Sequence, residues 1–192
     1  MPINGFNKTT LLDYPRKIAS TIFLGGCNFR CPFCQNSSLV LSPNKQPVIS
    51  TEEVLSVLKK RQGILEGVCI TGGEPTLDKD LFLLIDKIKE LGYPVKLDTN
   101  GSHPWILKKL VNNQMIDMVA MDIKSSKESY AKVSGCKNID LTSICESVEF
   151  LLSNVIPYEF RTTVVRELHD KADFESIGKW IAGCQAYFLQ AY

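Results

Sequence analysis

The sequence predicts a parallel α/β fold in a single domain, and three observations lead to that class. Segments with strand character alternate six times with segments of helical periodicity, an order typical of a parallel sheet with helical crossovers. Polar or glycine-rich motifs follow several strand segments, where parallel α/β folds place their active sites. A chain of 192 residues is long enough to bury one core. A flat doubly wound sheet and a curved partial barrel both have this order of elements.

The predicted strands are short, apolar and rich in β-branched residues. They cover residues 17–24, 67–71, 94–98, 117–123, 158–165 and 186–190. The predicted helices carry apolar side chains at helical spacing and begin at or after capping residues. These capping residues are Ser50, Asp78, Ser102, Asp140 and Asp173, and a shorter helix is predicted over residues 126–133. Residues 1–16 and 42–50 lack periodicity and contain prolines, so we expect both stretches to be irregular.

Composition and charge exclude several classes of function. The net charge of +1 predicts no strong attraction to nucleic acid or to an anionic membrane. The longest apolar run is too short to span a bilayer, and no secretory signal segment is expected. Seven cysteines in a chain of this length, an odd number, indicate free thiols and therefore a reducing compartment. We expect a soluble cytoplasmic protein.

Three cysteines follow the first predicted strand on one short loop. Cys27, Cys31 and Cys34 have the spacing Cys-x3-Cys-x2-Cys, and no fourth cysteine or histidine lies nearby. Structural zinc sites are closed by four ligands, whereas cysteine thiolates are the usual ligands of iron–sulfur clusters. A [4Fe–4S] cluster on three cysteines would leave one iron free to bind a small molecule. The alternative is a zinc-binding interaction module with a distant fourth ligand.

The remaining cysteines, histidines and tryptophans have no ligand spacing. We expect Cys69 to be a core residue and Cys136, Cys145 and Cys184 to be structural. We expect His103 and His169 to lie on the surface, and Trp105 and Trp180 to serve packing.

Polar residues also follow or lie in the later predicted strands. They are Gly72, Gly73 and Glu74 after the second strand, Asp98, Thr99 and Asn100 at the end of the third, Asp122 and Lys124 at the end of the fourth, and Arg161 within the fifth. Because the carboxyl ends of parallel strands meet at one edge of the sheet, we expect these residues and the cysteine loop to form one site.

The cysteine motif, with Phe33 before its third cysteine and Gly-Gly-Glu-Pro at residues 72–75, resembles the radical S-adenosylmethionine (SAM) superfamily. Within it, the whole chain is similar to glycyl-radical-enzyme activases. The matching motifs are Thr-Thr-Leu-Leu-Asp-Tyr-Pro at residues 9–15, Asp-Thr-Asn-Gly at 98–101 and Met-Asp-Ile-Lys at 121–124. The resemblance implies a single radical SAM domain over residues 1–192, folded as a partial (β/α)6 barrel of parallel strands. Relatives usually continue beyond the sixth strand, so a truncated C-terminus is expected.

The resemblance also assigns ligands. It implies that Cys27, Cys31 and Cys34 hold one [4Fe–4S] cluster, whose free iron chelates the amino and carboxylate groups of SAM. It implies that SAM is contacted by Phe33 and Gln35 at the adenine, by Gly72, Gly73 and Glu74 at the ammonium, by Lys124 and Arg161 at the carboxylate or ribose, and further by Asp98, Asn100 and Asp122. A monovalent cation would be bound by Asp98, Thr99, the Met121 carbonyl and Asp122, since oxygen ligands suit a hard cation.

The activity implied by the resemblance comes from the cofactor, and no side chain is expected to act as a catalytic acid or base. Reductive cleavage of SAM gives a 5′-deoxyadenosyl radical, which removes a hydrogen atom from a glycine α-carbon of a partner enzyme. The favoured partner is anaerobic ribonucleoside-triphosphate reductase, with flavodoxin or ferredoxin as electron donor. The alternatives are a glycyl radical enzyme of the pyruvate formate-lyase type and a small-molecule substrate.

Overall fold

Residues 3–192 are described by the computed structural model as one seven-stranded sheet with helices between the strands. The strands are β1 (Ile3–Thr10), β2 (Ala19–Leu24), β3 (Gly67–Gly72), β4 (Val95–Thr99), β5 (Met118–Asp122), β6 (Tyr158–Val164) and β7 (Tyr187–Ala191). The helices are α1 (Ser37–Leu41), α2 (Thr51–Lys60), α3 (Leu81–Glu90), α4 (Pro104–Asn112), α5 (Tyr130–Ser134), α6 (Leu141–Leu152) and α7 (Lys171–Trp180).

The strands lie in the sheet in the order in which they occur in the chain. Strands β2 to β7 are parallel, and β1 pairs antiparallel with β2 at the edge. A doubly wound sheet would reverse its strand order partway, whereas this order runs in one direction throughout. The sheet is unclosed, because no pairing joins β1 to β7 in the described chain. The prediction of a parallel α/β fold is confirmed, and the sequential order favours the partial barrel over the doubly wound sheet.

The first strand was not expected from the sequence. Residues 1–16 are predicted to be irregular, yet Ile3–Thr10 forms β1; residues 1 and 2 lie outside the described part. The register of β1 on β2 shifts between Ile3 and Gly5 and again between Asn7 and Thr10. Such bulges interrupt the alternation of apolar and polar residues by which a strand is recognised. The prediction for residues 42–50 also changes in part, since Pro43–Lys45 forms a 3₁₀ turn.

The two faces of the sheet differ in polarity. Apolar residues of β2, β3 and β4, such as Ile22, Ile70 and Leu97, belong to the main hydrophobic cluster together with residues of the surrounding helices. Alternate strand residues point to the opposite face. That inner face carries Thr21, Cys69, Lys96, Asp98, Glu159 and Arg161, which bond to one another or to Asp13. A polar interior therefore lies beneath the carboxyl ends of the strands.

The helix starts agree with the predicted capping residues only in part. Ser50 accepts a hydrogen bond of 3.1 Å from the Glu53 amide at the start of α2. Asp78, in contrast, ends a 3₁₀ turn, and α3 begins at Leu81. The reciprocal capping box occurs at Asp170, which precedes α7. None of the helices in residues 3–192 has the length and apolar character needed to cross a membrane.

Candidate functional site

The cysteine loop borders a cavity of about 290 Å³. Cys27, Cys31 and Cys34 all line it, and each is a free thiol of intermediate exposure. The Phe29 amide donates a hydrogen bond of 3.3 Å to Cys27 Sγ. Burial is the largest influence on these thiols: it raises the pKa of Cys27 to about 11, and it raises the pKa of Cys31 as well.

Two glycine pairs bring the end of β3 against the start of the cysteine loop. The Gly73 amide donates to the Leu24 carbonyl at 2.9 Å, and the Glu74 amide donates to the Gly26 carbonyl at 2.8 Å. A Cβ on Gly73 would lie 1.9 Å from the Gly26 oxygen, which no side chain tolerates. Residue 73 must therefore be glycine for the two segments to approach this closely.

Charged residues form a chain of ion pairs across β4, β5 and β6. Arg161 contacts an Asp98 oxygen and an Asp122 oxygen, each at 3.1 Å. Asp122 also pairs with Lys124 at 2.9 Å, and Asp98 with Lys96 at 2.6 Å. Burial alone would raise the pKa of Asp122, but Lys124 and Arg161 outweigh it and lower this pKa to about 2. The cavity floor therefore carries fixed charges of both signs.

Glu74 is buried, with 1% of its surface exposed. Its Oε1 accepts hydrogen bonds from the Thr76 amide, the Thr76 hydroxyl and the Thr99 hydroxyl, at 3.1, 2.5 and 2.8 Å. Its Oε2 accepts from the Asn100 amide at 2.6 Å. Burial raises the pKa of this carboxyl, and the hydrogen bonds oppose the rise. The carboxylate thus joins the segment after β3 to the end of β4.

Most of the residues predicted for the site come together around the cavity. Its lining includes Cys27, Cys31, Phe33, Cys34, Gln35, Gly72, Gly73, Asp98, Thr99, Asn100, Asp122, Lys124 and Arg161. Glu74 and Met121 are not among the lining residues; Met121 is fully buried, and its side chain lies against Gly101. The SAM contact expected for the Glu74 carboxylate therefore remains a prediction with no support from its position.

Several lining residues are absent from the predicted set, including Asp13, Thr163 and Gln190. The Thr21 hydroxyl donates to Asp13 at 2.5 Å, which places the loop after β1 against the inner face. Thr163 lies two residues after Arg161 on β6, so strand alternation from Arg161 would have indicated it. Asp13 had no such signal, because its position depends on the unexpected strand β1.

Some predictions outside the cavity are corrected. His169 is buried rather than on the surface: its Nε2 contacts the Lys124 carbonyl oxygen at 2.8 Å, and its ring stacks on Phe174. Trp105, expected to pack, is 62% exposed. Cys69 is fully buried, which confirms that prediction.

The donor set fits an iron–sulfur cluster better than a zinc ion. In the described residues, no three or more His, Cys, Asp or Glu side chains are arranged to hold a metal ion. A structural zinc site needs four ligands that converge on one ion. The cysteines of a cluster each bind a different iron and need only border a common space. The three thiols around one cavity meet that requirement.

Comparison with known proteins agrees with this site. The family model of the radical SAM superfamily matches residues 21–181. A protein of Methanocaldococcus jannaschii named "Putative glycyl-radical enzyme activating enzyme MJ1227" is 34% identical over 99% of this chain and 79% of its own length. A second protein of that organism, MJ1632, carries the same description and is 26% identical over 92% of this chain and 63% of its own length.

A solved structure also shares the fold. The radical SAM-type structure titled anSMEcpe with bound AdoMet superimposes with a TM-score of 0.66 over 88% of this chain and 49% of that chain, at 20% identity. The chain belongs to the radical SAM superfamily, whose members use a [4Fe–4S] cluster and SAM. Within that superfamily of enzymes it is similar to the glycyl-radical enzyme activating enzymes.

Proposed function

We propose that this protein installs a glycyl radical on a partner enzyme, most simply anaerobic ribonucleoside-triphosphate reductase. The observation that carries the proposal is the similarity to MJ1227, which extends over 99% of the chain. The three cysteines and the charged floor share one cavity, as the proposed reaction requires. The motifs at residues 9–15 and 98–101 favour the reductase as partner over other glycyl radical enzymes.

The roles of the residues follow from their chemistry. Cys27, Cys31 and Cys34 hold the cluster, which supplies the electron that cleaves SAM. Phe33 and Gln35 border the space proposed for the adenine, and backbone carbonyls of Gly72 and Gly73 suit the ammonium. Lys124 and Arg161 are the cations that suit the SAM carboxylate or ribose. The remaining role of the chain is to position SAM and to exclude water.

The cation is a separate part of the proposal. Asp98, Thr99, the Met121 carbonyl and Asp122 supply the hard oxygen ligands that a monovalent cation prefers. Both carboxylates already accept hydrogen bonds from Arg161, so a cation would share them. Activity that is equal in potassium and in tetramethylammonium salts would exclude this part.

We further propose that residues 1–192 are one radical SAM domain, because all seven described strands belong to one sheet. A reducing, cytoplasmic setting is proposed because all seven cysteines are free thiols. Flavodoxin or ferredoxin is the proposed electron donor.

The test is anaerobic incubation of the reconstituted protein with SAM, a reductant and a candidate glycyl radical enzyme. We expect 5′-deoxyadenosine release and a glycyl radical signal in the EPR spectrum of the reductase. Cys31→Ala should abolish both, and Cys145→Ala, on α6 away from the cavity, should retain both. A radical formed only on a pyruvate formate-lyase type enzyme would change the partner. SAM cleavage by Cys31→Ala at the wild-type rate would overturn the whole proposal.

A further inference from the structure

The side chain of Asn100 is directed at one of the three cysteine ligands. Its Nδ2 lies 3.8 Å from Cys27 Sγ and 2.9 Å from Asn28 Oδ1. Asn100 is 5% exposed, so solvent does not compete strongly for this amide. We propose that Asn100 donates a hydrogen bond to the Cys27 thiolate and thereby positions this ligand and raises the reduction potential of the cluster.

The orientation of the Asn100 amide is set by its neighbours. Its Oδ1 accepts a hydrogen bond of 2.9 Å from the Ser102 amide. The reverse orientation would place the NH₂ group against that backbone N–H and leave Oδ1 facing Asn28 Oδ1 and the thiolate. Both contacts would be repulsive, so the donor must point to Cys27.

The backbone of Asn100 is anchored as firmly as its side chain. The Asn100 amide donates to Glu74 Oε2 at 2.6 Å, a charge-assisted bond inside the protein. Glu74 is therefore a positioning residue, because it acts on Cys27 through Asn100. This gives the buried acid of the Gly-Gly-Glu-Pro motif a function that needs no contact with SAM.

Asn28 completes the arrangement beside Cys27. Its Nδ2 donates to Ser102 Oγ at 2.8 Å, while its Oδ1 accepts from Asn100. Its backbone carbonyl oxygen is 3.3 Å from Cys136 Sγ, which donates to it. The first turn of the cysteine loop is thus held by the segment after β4 and by the segment after α5.

A hydrogen bond to a ligating thiolate withdraws electron density from the sulfur. The reduced cluster carries more negative charge than the oxidised one, so the donor favours the reduced form and raises the potential. Removing the donor should lower the potential, and replacing it with a carboxylate should lower it further.

The inference rests on the cluster at the three cysteines but requires neither SAM nor a partner enzyme. The test is therefore an anaerobic EPR titration of the reconstituted protein without either. We expect the midpoint potential to become more negative in Asn100→Ala and still more negative in Asn100→Asp. Asn112→Asp, an exposed change on α4, should leave the potential at the wild-type value.

The outcomes separate the inference from the proposed function. Wild-type cluster content and wild-type potential in Asn100→Ala would overturn it, even if glycyl radical formation were demonstrated. If Asn100→Ala assembles no cluster while its apo-protein unfolds at the wild-type urea concentration, the positioning role is supported. Should Asn100→Asp fail to load, Asn100→Ala decides alone.

Discussion

Lys96 and Asp98, two positions apart on β4, form an ion pair of 2.6 Å between Nζ and Oδ1 on the polar inner face of the sheet. Lys96 is 1% exposed and also lies 3.7 Å from Glu159. Burial alone would lower the pKa of Lys96, but Asp98 outweighs it and the pKa is raised. Because Lys96 takes one oxygen of Asp98, the other is left for Arg161. The position of Arg161 at the cavity therefore depends on a lysine beneath it.

Replacing Lys96 should destabilise the protein strongly. Lys96→Met leaves two buried carboxylates without their cation, and breaking a buried pair costs about 3–5 kcal/mol. The matched control is Lys108→Met, whose pair with Glu146 is exposed and is expected to contribute under about 1 kcal/mol. Urea unfolding of the two variants measures the difference, and equal losses would contradict the buried network.

Glu74→Gln should lower the free energy of unfolding by about 1–3 kcal/mol. The four bonds to Glu74 all come from donors, and the glutamine NH₂ would face at least one of them. Glu90→Gln, an exposed change at the end of α3, is the control and should have little effect. Urea unfolding of the apo-proteins measures both, and a Glu74→Gln protein as stable as wild type would mean that Glu74 is not held as described.

Gly73→Ala should disrupt the junction between β3 and the cysteine loop. The added methyl group would lie 1.9 Å from the Gly26 oxygen, and overpacking of this kind costs about 1–3 kcal/mol. Gly178→Ala is the opposite case, because its Cβ meets nothing within 4 Å and alanine favours a helix by about 0.5–1 kcal/mol. We expect iron content and thermal stability to fall only in Gly73→Ala; a stable, fully loaded Gly73→Ala would refute the close approach.

Asp173 should contribute stability that is lost in acid. Burial alone would raise its pKa, but hydrogen bonds from the Ser126 hydroxyl and the Asp170 amide outweigh it and lower the pKa. A carboxyl with a lowered pKa in the folded state stabilises above the unfolded-state pKa of about 3.9 and loses that effect as pH falls through the folded value.

The corresponding variant is Asp173→Asn. Its deficit in unfolding free energy relative to wild type should be largest near neutral pH and should shrink below about pH 4. Asp86→Asn, exposed on α3, should show no such dependence. A deficit that stays constant from neutral pH into the acid range would show that the Asp173 charge is not responsible.

The sequence sufficed for the parts of the site that are local or lie at strand ends. The cysteines are adjacent on one loop, and Asp98 and Asp122 end their strands, so parallel topology alone brings them together. Lys96 was missed because alternation in Val-Lys-Leu-Asp shows that a strand has two different faces. It does not show that the polar face is the enclosed one. Nor could the sequence decide whether the Glu74 carboxylate turns toward the cavity or into the protein.

The hydrogen bonds that hold the cysteine loop come from segments far apart in the chain. Asn100 and Ser134 contact the loop from beyond β4 and from α5, and Asn36 contacts Gly72 at the end of β3. The geometry of the three thiols is therefore a property of the assembled sheet. Cluster insertion and folding should be linked equilibria, in which the inorganic centre binds the native state and raises its stability. A chain damaged near α5 could keep all three cysteines and still lose its iron.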